Sequence, residues 1–204
     1  MVSNNCTSWD KYTDLGKTYD VGMPGFARFN ARYRSAASMS ISFGSEYKTS
    51  ATSDGYADII CAAMANAAIE ALEAAIGSYN ADKNPLVASL SRVRVESTVL
   101  ADLYRSDALT RFRDSLQSHL ENKKLKEQLK ALEMSGSDLT PVLRGLRHLA
   151  FHGVITPATI GYGASGKGRN VGKFLQALRL EALSEADLHF TEWLESNQQK
   201  FRLK

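Results

Sequence analysis

The residues of this chain best suited to chemistry fall between Leu143 and Gly153. Arg144, Arg147, His148 and His152 lie within those eleven positions, which hold two of the chain's four histidines. Imidazole is the side chain whose ordinary pKa lies nearest neutrality, so it serves readily as acid and as base. Guanidinium is a fixed cation whose planar fork of donors grips phosphate oxygens. The combination suits proton transfer at a phosphodiester whose charge is held by arginine.

The element that must carry them is a helix. Ser135, Gly136 and Ser137 make a turn, Asp138 or Thr140 is placed to cap, and Pro141 suits a first turn. Gly153 is placed to end it. Turning the segment by about 100° per residue gathers Leu139, Val142, Leu143, Leu146, Leu149 and Ala150 on one face. Arg147 sits at the border of that face, and Arg144, His148 and His152 point away from it. A buried core histidine is therefore disfavoured, and the bland alternative is a solvated polar face. On a regular helix Arg147 and His152 diverge by about 140°, so one copy does not easily unite them. A fraying helix end or a second subunit could.

His148 and His152 are four apart, the spacing that puts two metal ligands on one helical face. The hydrolytic zinc pattern needs glutamate directly after the first histidine, where Leu149 stands. No nearby cysteine or carboxylate offers a third ligand, and only His119 or His189 could supply one from elsewhere. No metal site is expected, nor any cofactor, and a metal-binding helical protein ranks third among the readings.

A length of 204 residues and a hydrophobic content of 44% fit one sizeable domain with a real core. A net charge of +3 permits a polyanionic partner without demanding one. Cys6 and Cys61 stand far apart, which excludes a cysteine-only zinc site and argues against a disulfide scaffold. The start has neither a basic stretch nor an apolar run, and the apolar segment Ile59 to Ile69 is too short to span a bilayer. The expectation is a soluble cytoplasmic protein without a membrane partner.

Residues 1–53 are rich in Ser, Asn, Gly and aromatics, with Met39, Ile41 and Phe43 alternating against serines. They read as an arm, irregular or with a small β element, packed on the body. Residues 54–204 read as a bundle of about five or six helices. The first is a long amphipathic helix from Ser53 or Asp54 through Tyr79, weakened near Gly77. Residues 86–104 are ambiguous: Arg92 to Glu96 alternates like a strand, yet the neighbourhood offers no partner, and helix is favoured. Asp107 to Leu132 reads as helix with a kink or break near Asn122. Its lysines 123, 124, 126 and 130 could track phosphates, though such runs are usually a solvated face. Val171 to Ala182 marks a further helix, and Ser184 with Asp187 opens a last one.

Gly161, Gly163 and Gly166 match a dinucleotide fingerprint, and Gly161 to Lys167 nearly match a phosphate loop. Both patterns require a preceding strand, and the second also requires Ser or Thr where Gly168 stands. A flexible loop explains the glycines better. Lys167 and Arg169 could still touch a phosphate backbone from it.

Arg147-His148-Leu149-Ala150-Phe151-His152, with Gly153 after it, resembles the R-x4-6-H motif of the HEPN superfamily, short for higher eukaryotes and prokaryotes nucleotide-binding. His148 stands where that family often has asparagine. The resemblance covers roughly residues 54 to 200 and implies an all-α, HEPN-like bundle that forms homodimers and cuts RNA without metal at a composite cleft. It would make Arg147 the phosphate ligand and transition-state stabiliser, His152 the acid/base group and His148 the polar helper. Arg144, Lys167 and Arg169 would bind substrate. It also implies a role in bacterial defence or a toxin system, with an antitoxin or other regulatory protein as a further partner. Some HEPN toxins carry a tyrosine two residues after the histidine, to which a partner attaches nucleotides; Val154 stands there, so that regulation is not expected. Some members only bind RNA or nucleotides, which makes a non-catalytic module the second reading.

Overall fold

A helix that is apolar on every side has to be surrounded, and this chain has one. The computed structural model describes residues 6–41, 50–163 and 167–204, with backbone alone for 50, 167 and 168. In it α3 (Ser50–Asp82) is the central post. It is long and apolar enough by composition to cross a membrane, but 72% of its most apolar window is buried inside the protein. The run Ile59 to Ile69 is thus only part of a longer apolar helix. The covering elements are α2 (Pro24–Ser38), α7 (Thr140–Phe151) and α8 (Lys167–Asn197). Around them lie α1 (Thr7–Thr18) on α8, α4 (Thr98–Arg105) against α8 and α6, and α5 (Thr110–His119) and α6 (Lys123–Met134) on α7. The fold is all-α: eight α-helices and two short 3-10 turns, with no strand, among the described residues.

Several expectations are corrected. The described part of the aromatic arm is two helices rather than an irregular or β segment. Phe26, Phe29, Tyr33 and Ala36 recur at helical spacing and are all buried. The stretch that alternates begins at the end of α2 and continues as non-helical chain at 39–41, while Phe43 lies outside the described residues. Phe26 stacks on Phe190 with centroids 5.1 Å apart, and Phe29 meets the same ring edge-on at 5.4 Å. These rings fuse α2 to α8, and deleting one such side chain costs about 3–5 kcal/mol in a close-packed core. Gly25 permits the tight α2–α3 contact, since a Cβ there would stand 2.6 Å from that of Ala75.

Ser53 and Asp54 do not cap α3, which already spans them; the Ser53 hydroxyl donates instead to the Ile41 carbonyl. α3 runs through Tyr79, as expected, and on to Asp82. The expected break at Ser184 is absent, because α8 runs unbroken. Asp187 serves another helix: its carboxylate accepts the backbone N–H groups of Thr7 and Ser8 at 3.2 and 2.9 Å, filling the role of the missing side-chain cap of α1. The body thus holds six α-helices, α3 to α8, within the expected five or six, and the two helices of the arm bring the described total to eight.

Residues 86–97 are not helical but form an extended strap, and helix begins only at Thr98. The alternation reported burial correctly: Val93 and Val95 are fully buried while Arg92, Arg94 and Glu96 are exposed. The missing partner lies about forty residues on. Val95 donates to the Thr140 hydroxyl at 3.1 Å and accepts from Leu139 N–H at 2.7 Å, and Glu96 bridges Asp138. The break near Asn122 is present, and Asn122 caps α6 by accepting from Leu125 N–H at 3.0 Å.

Candidate functional site

α7 follows its sequence closely. Pro141 occupies the first turn, and the Asp138 carboxylate accepts from Thr140 N–H at 2.9 Å just before it. Leu139, Val142, Leu143, Leu146 and Leu149 are buried, as the phasing requires. At the other end Gly153 adopts φ +67°, a left-handed conformation natural to glycine. Gly153 N–H reaches Ala150 O at 3.1 Å and Val154 N–H reaches Leu149 O at 3.0 Å, the paired bonds of a Schellman stop. That stop fixes where His152 stands, one residue before the reversal.

The polar face of α7 forms one wall of an open cavity of about 290 Å³. Arg144, Arg147 and His148 line it from α7. Arg92 comes from the strap, Lys124, Leu125 and Gln128 from α6 with Asn122 at its cap, and Glu70 from α3. Four cationic side chains therefore share the space with a single carboxylate. Arg92, Lys124 and Arg144 make no ion pair with any described residue. Like charges gathered without counter-charges repel, and the arrangement is relieved when an anion enters.

Arg147 is the exception. Its Nε lies 3.2 Å from Glu70 Oε2, an ion pair of half-exposed side chains. The contact lacks hydrogen-bond geometry, so Nε itself is buried without a hydrogen-bond partner. Glu70 Oε1 accepts from Asn66 Nδ2 at 2.9 Å, and Asn66 is 1% exposed one turn earlier on α3.

His152 does not line the cavity. Its ring lies 4.6 Å from that of His148, which does, so the two imidazoles are adjacent within one chain. Beside them Phe151 and Val154 are 54% and 38% exposed. Arg169 does not line the cavity, although it lies in the first turn of α8; the Lys167 side chain lies outside the described residues, as do residues 164–166 of the glycine loop. His119 and His189 are occupied on their own helices, bonded through Nδ1 to the carbonyls of Ser115 and Glu185 at 2.8 and 2.9 Å. Among the described residues no three His, Cys, Asp or Glu side chains converge to hold a metal.

No family model, curated protein or solved structure matches the chain. The sequence reading missed Glu70, Arg92 and Gln128 and treated Lys124 as part of a solvated run. One signal was available for Glu70: Asn66 and Glu70 interrupt the most apolar helix of the chain at a spacing of four.

Proposed function

We propose that the chain is a metal-independent endoribonuclease of HEPN type, working through Arg147, His148 and His152. The carrying observation is the cavity in which the motif's first two residues meet three cations that have no ion-pair partner among the described residues, with the second histidine ring against the first. RNA brings its own nucleophile, so the protein need only move protons and hold charge. The 2′-oxygen attacks phosphorus as its proton passes to one imidazole. The bond to the 5′-oxygen breaks as that oxygen takes a proton from an imidazolium. A 2′,3′-cyclic phosphate and a 5′-hydroxyl remain. Arg147, with Arg144 beside it, stabilises the added charge on the phosphoryl oxygens.

We further propose a homodimer. The exposed Phe151 and Val154 flank His152 and give a second copy an apolar surface beside the motif. The adjacent imidazoles reduce what the partner must supply, because proton donor and acceptor already stand together in one chain.

The test is cleavage of a defined single-stranded RNA in EDTA, with sedimentation of the same samples. Arg147→Ala and His148→Ala should each lower the rate by about a hundredfold or more, and His152→Ala by a comparable factor. Undiminished cleavage by Arg147→Ala and His152→Ala would overturn the nuclease assignment. RNA binding without turnover by the wild type would leave the non-catalytic module, whose anion site rests on the same cations.

A further inference from the structure

The cavity holds one carboxylate, and its placement is specific. Glu70 projects from the central helix α3 at a partly buried position. Its two oxygens are differentiated. Oε1 is taken by Nδ2 of Asn66, a buried amide with little freedom to move, which leaves Oε2 turned to Arg147 Nε at 3.2 Å. The other three cations of the cavity have no such partner among the described residues. A long guanidinium side chain has much rotamer entropy to lose before it can act. An ion pair at Nε leaves the two terminal nitrogens, the pair that grips a phosphate in fork geometry, free for substrate.

We propose that Glu70, oriented by Asn66, is the positioning residue that aims Arg147 into the cavity, and that it does so at the expense of anion affinity. The assignment rests on the anion-site reading of the cavity, and its kinetic half rests on the nuclease reading as well. Two consequences follow from one charge. With Glu70 neutralised, Arg147 loses its anchor and the transition state loses a well-placed donor pair. The same change removes the only carboxylate that lines the cavity among the described residues, so ground-state binding strengthens. A variant that binds more tightly and turns over more slowly separates this role from simple structural support, which lowers both together or neither.

The experiment compares wild type, Glu70→Gln and Asn66→Ser for binding of a fluorescein-labelled single-stranded RNA, and for kcat and KM of its cleavage. Glu70→Gln keeps the shape and the acceptor for Asn66. It should tighten the Kd and KM and lower kcat, each by about three- to fivefold, the size expected when one half-exposed ion pair is lost. Asn66→Ser should shift both quantities in the same directions by a smaller factor, with thermal melts confirming that it folds. Unchanged or weaker RNA binding by Glu70→Gln overturns the proposal, as does unchanged kcat in a protein that cleaves. If the wild type binds RNA and never cleaves it, the nuclease reading fails alone. Tighter binding by Glu70→Gln then still supports Glu70 as the charge that restrains the anion site, whereas unchanged binding overturns it.

Discussion

Two carboxylates on α3, Asp58 and Glu70, stand three turns apart in opposite kinds of company. Asp58 is 7% exposed and surrounded by donors that match it. Tyr162 Oη donates to its Oδ2 at 2.8 Å, and Gln176 Nε2 donates to Oδ2 and Oδ1 at 3.0 and 3.2 Å. Those bonds fasten the loop that follows α7, together with α8, onto the central helix. Glu70 instead faces a cavity where cations exceed anions and most of them have no ion-pair partner among the described residues. Matched polar groups in the first place hold the fold, while on the proposed reading the excess positive charge in the second is completed by an anionic ligand.

The largest expected effect tests that contrast directly. Arg147→Ala should lose about a hundredfold or more in cleavage rate while its melting temperature stays within about 2 °C, because its side chain is half exposed. Asp58→Ala should do the reverse. It strands the Tyr162 hydroxyl and the Gln176 amide, costs about 2 kcal/mol and lowers the melting temperature by about 4–8 °C. Cleavage per folded molecule should be retained. Equal losses of stability in the two variants would erase the distinction between the sites.

A smaller effect follows from titration. Burial pushes the Asp58 carboxyl above its ordinary value, with Asp54 adding to the rise, against the lowering by the Tyr162 and Gln176 hydrogen bonds and by Arg179. A raised folded-state pKa means that the native protein binds this proton more tightly than the unfolded chain does. Its contribution is fully present below the ordinary carboxylate value and is lost as pH rises through the folded value. The stability of wild type minus that of Asp58→Asn should therefore decline across that window and then level. Urea unfolding at stepped pH measures it, and two parallel curves would contradict the assignment. Glu185, also raised by burial, is common to both proteins and cancels.

The same contrast explains what could be read from the chain. α7 was legible because cap, proline, apolar period and terminal glycine all lie within it, so its polar face could be phased before any packing was known. The site extends beyond that helix. Glu70, Arg92 and Lys124 belong to three other elements, and convergence in space leaves no local pattern. The strap was read as helix because its pairing partners, Asp138 to Thr140, lie some forty residues downstream. Asp187 was read as opening a new helix although its carboxylate caps α1, about 180 residues away in sequence. The arm misleads for a different reason: the alternation of Met39, Ile41 and Phe43 suggests a strand, whereas Phe26, Phe29 and Tyr33 at helical spacing are the stronger signal.

The smallest expected effect separates a defined anion site from a generally basic surface. Arg92 and Arg94 sit two residues apart on the strap, both exposed and on the same side of it. Only Arg92 lines the cavity; Arg94 lies 3.8 Å from Glu96 in an ion pair. Each phosphate contact to single-stranded RNA contributes about 0.7 to the slope of log affinity against log salt, through released counterions. Arg92→Ala and Lys124→Ala should therefore each weaken RNA binding about fivefold at moderate salt and flatten that slope by about 0.7. Arg94→Ala changes the net charge by the same amount and should leave the slope unaltered, because its charge is already answered by Glu96. A matching loss from Arg94→Ala would mean that RNA responds to overall charge, and the cavity would no longer be distinguished from the rest of the surface.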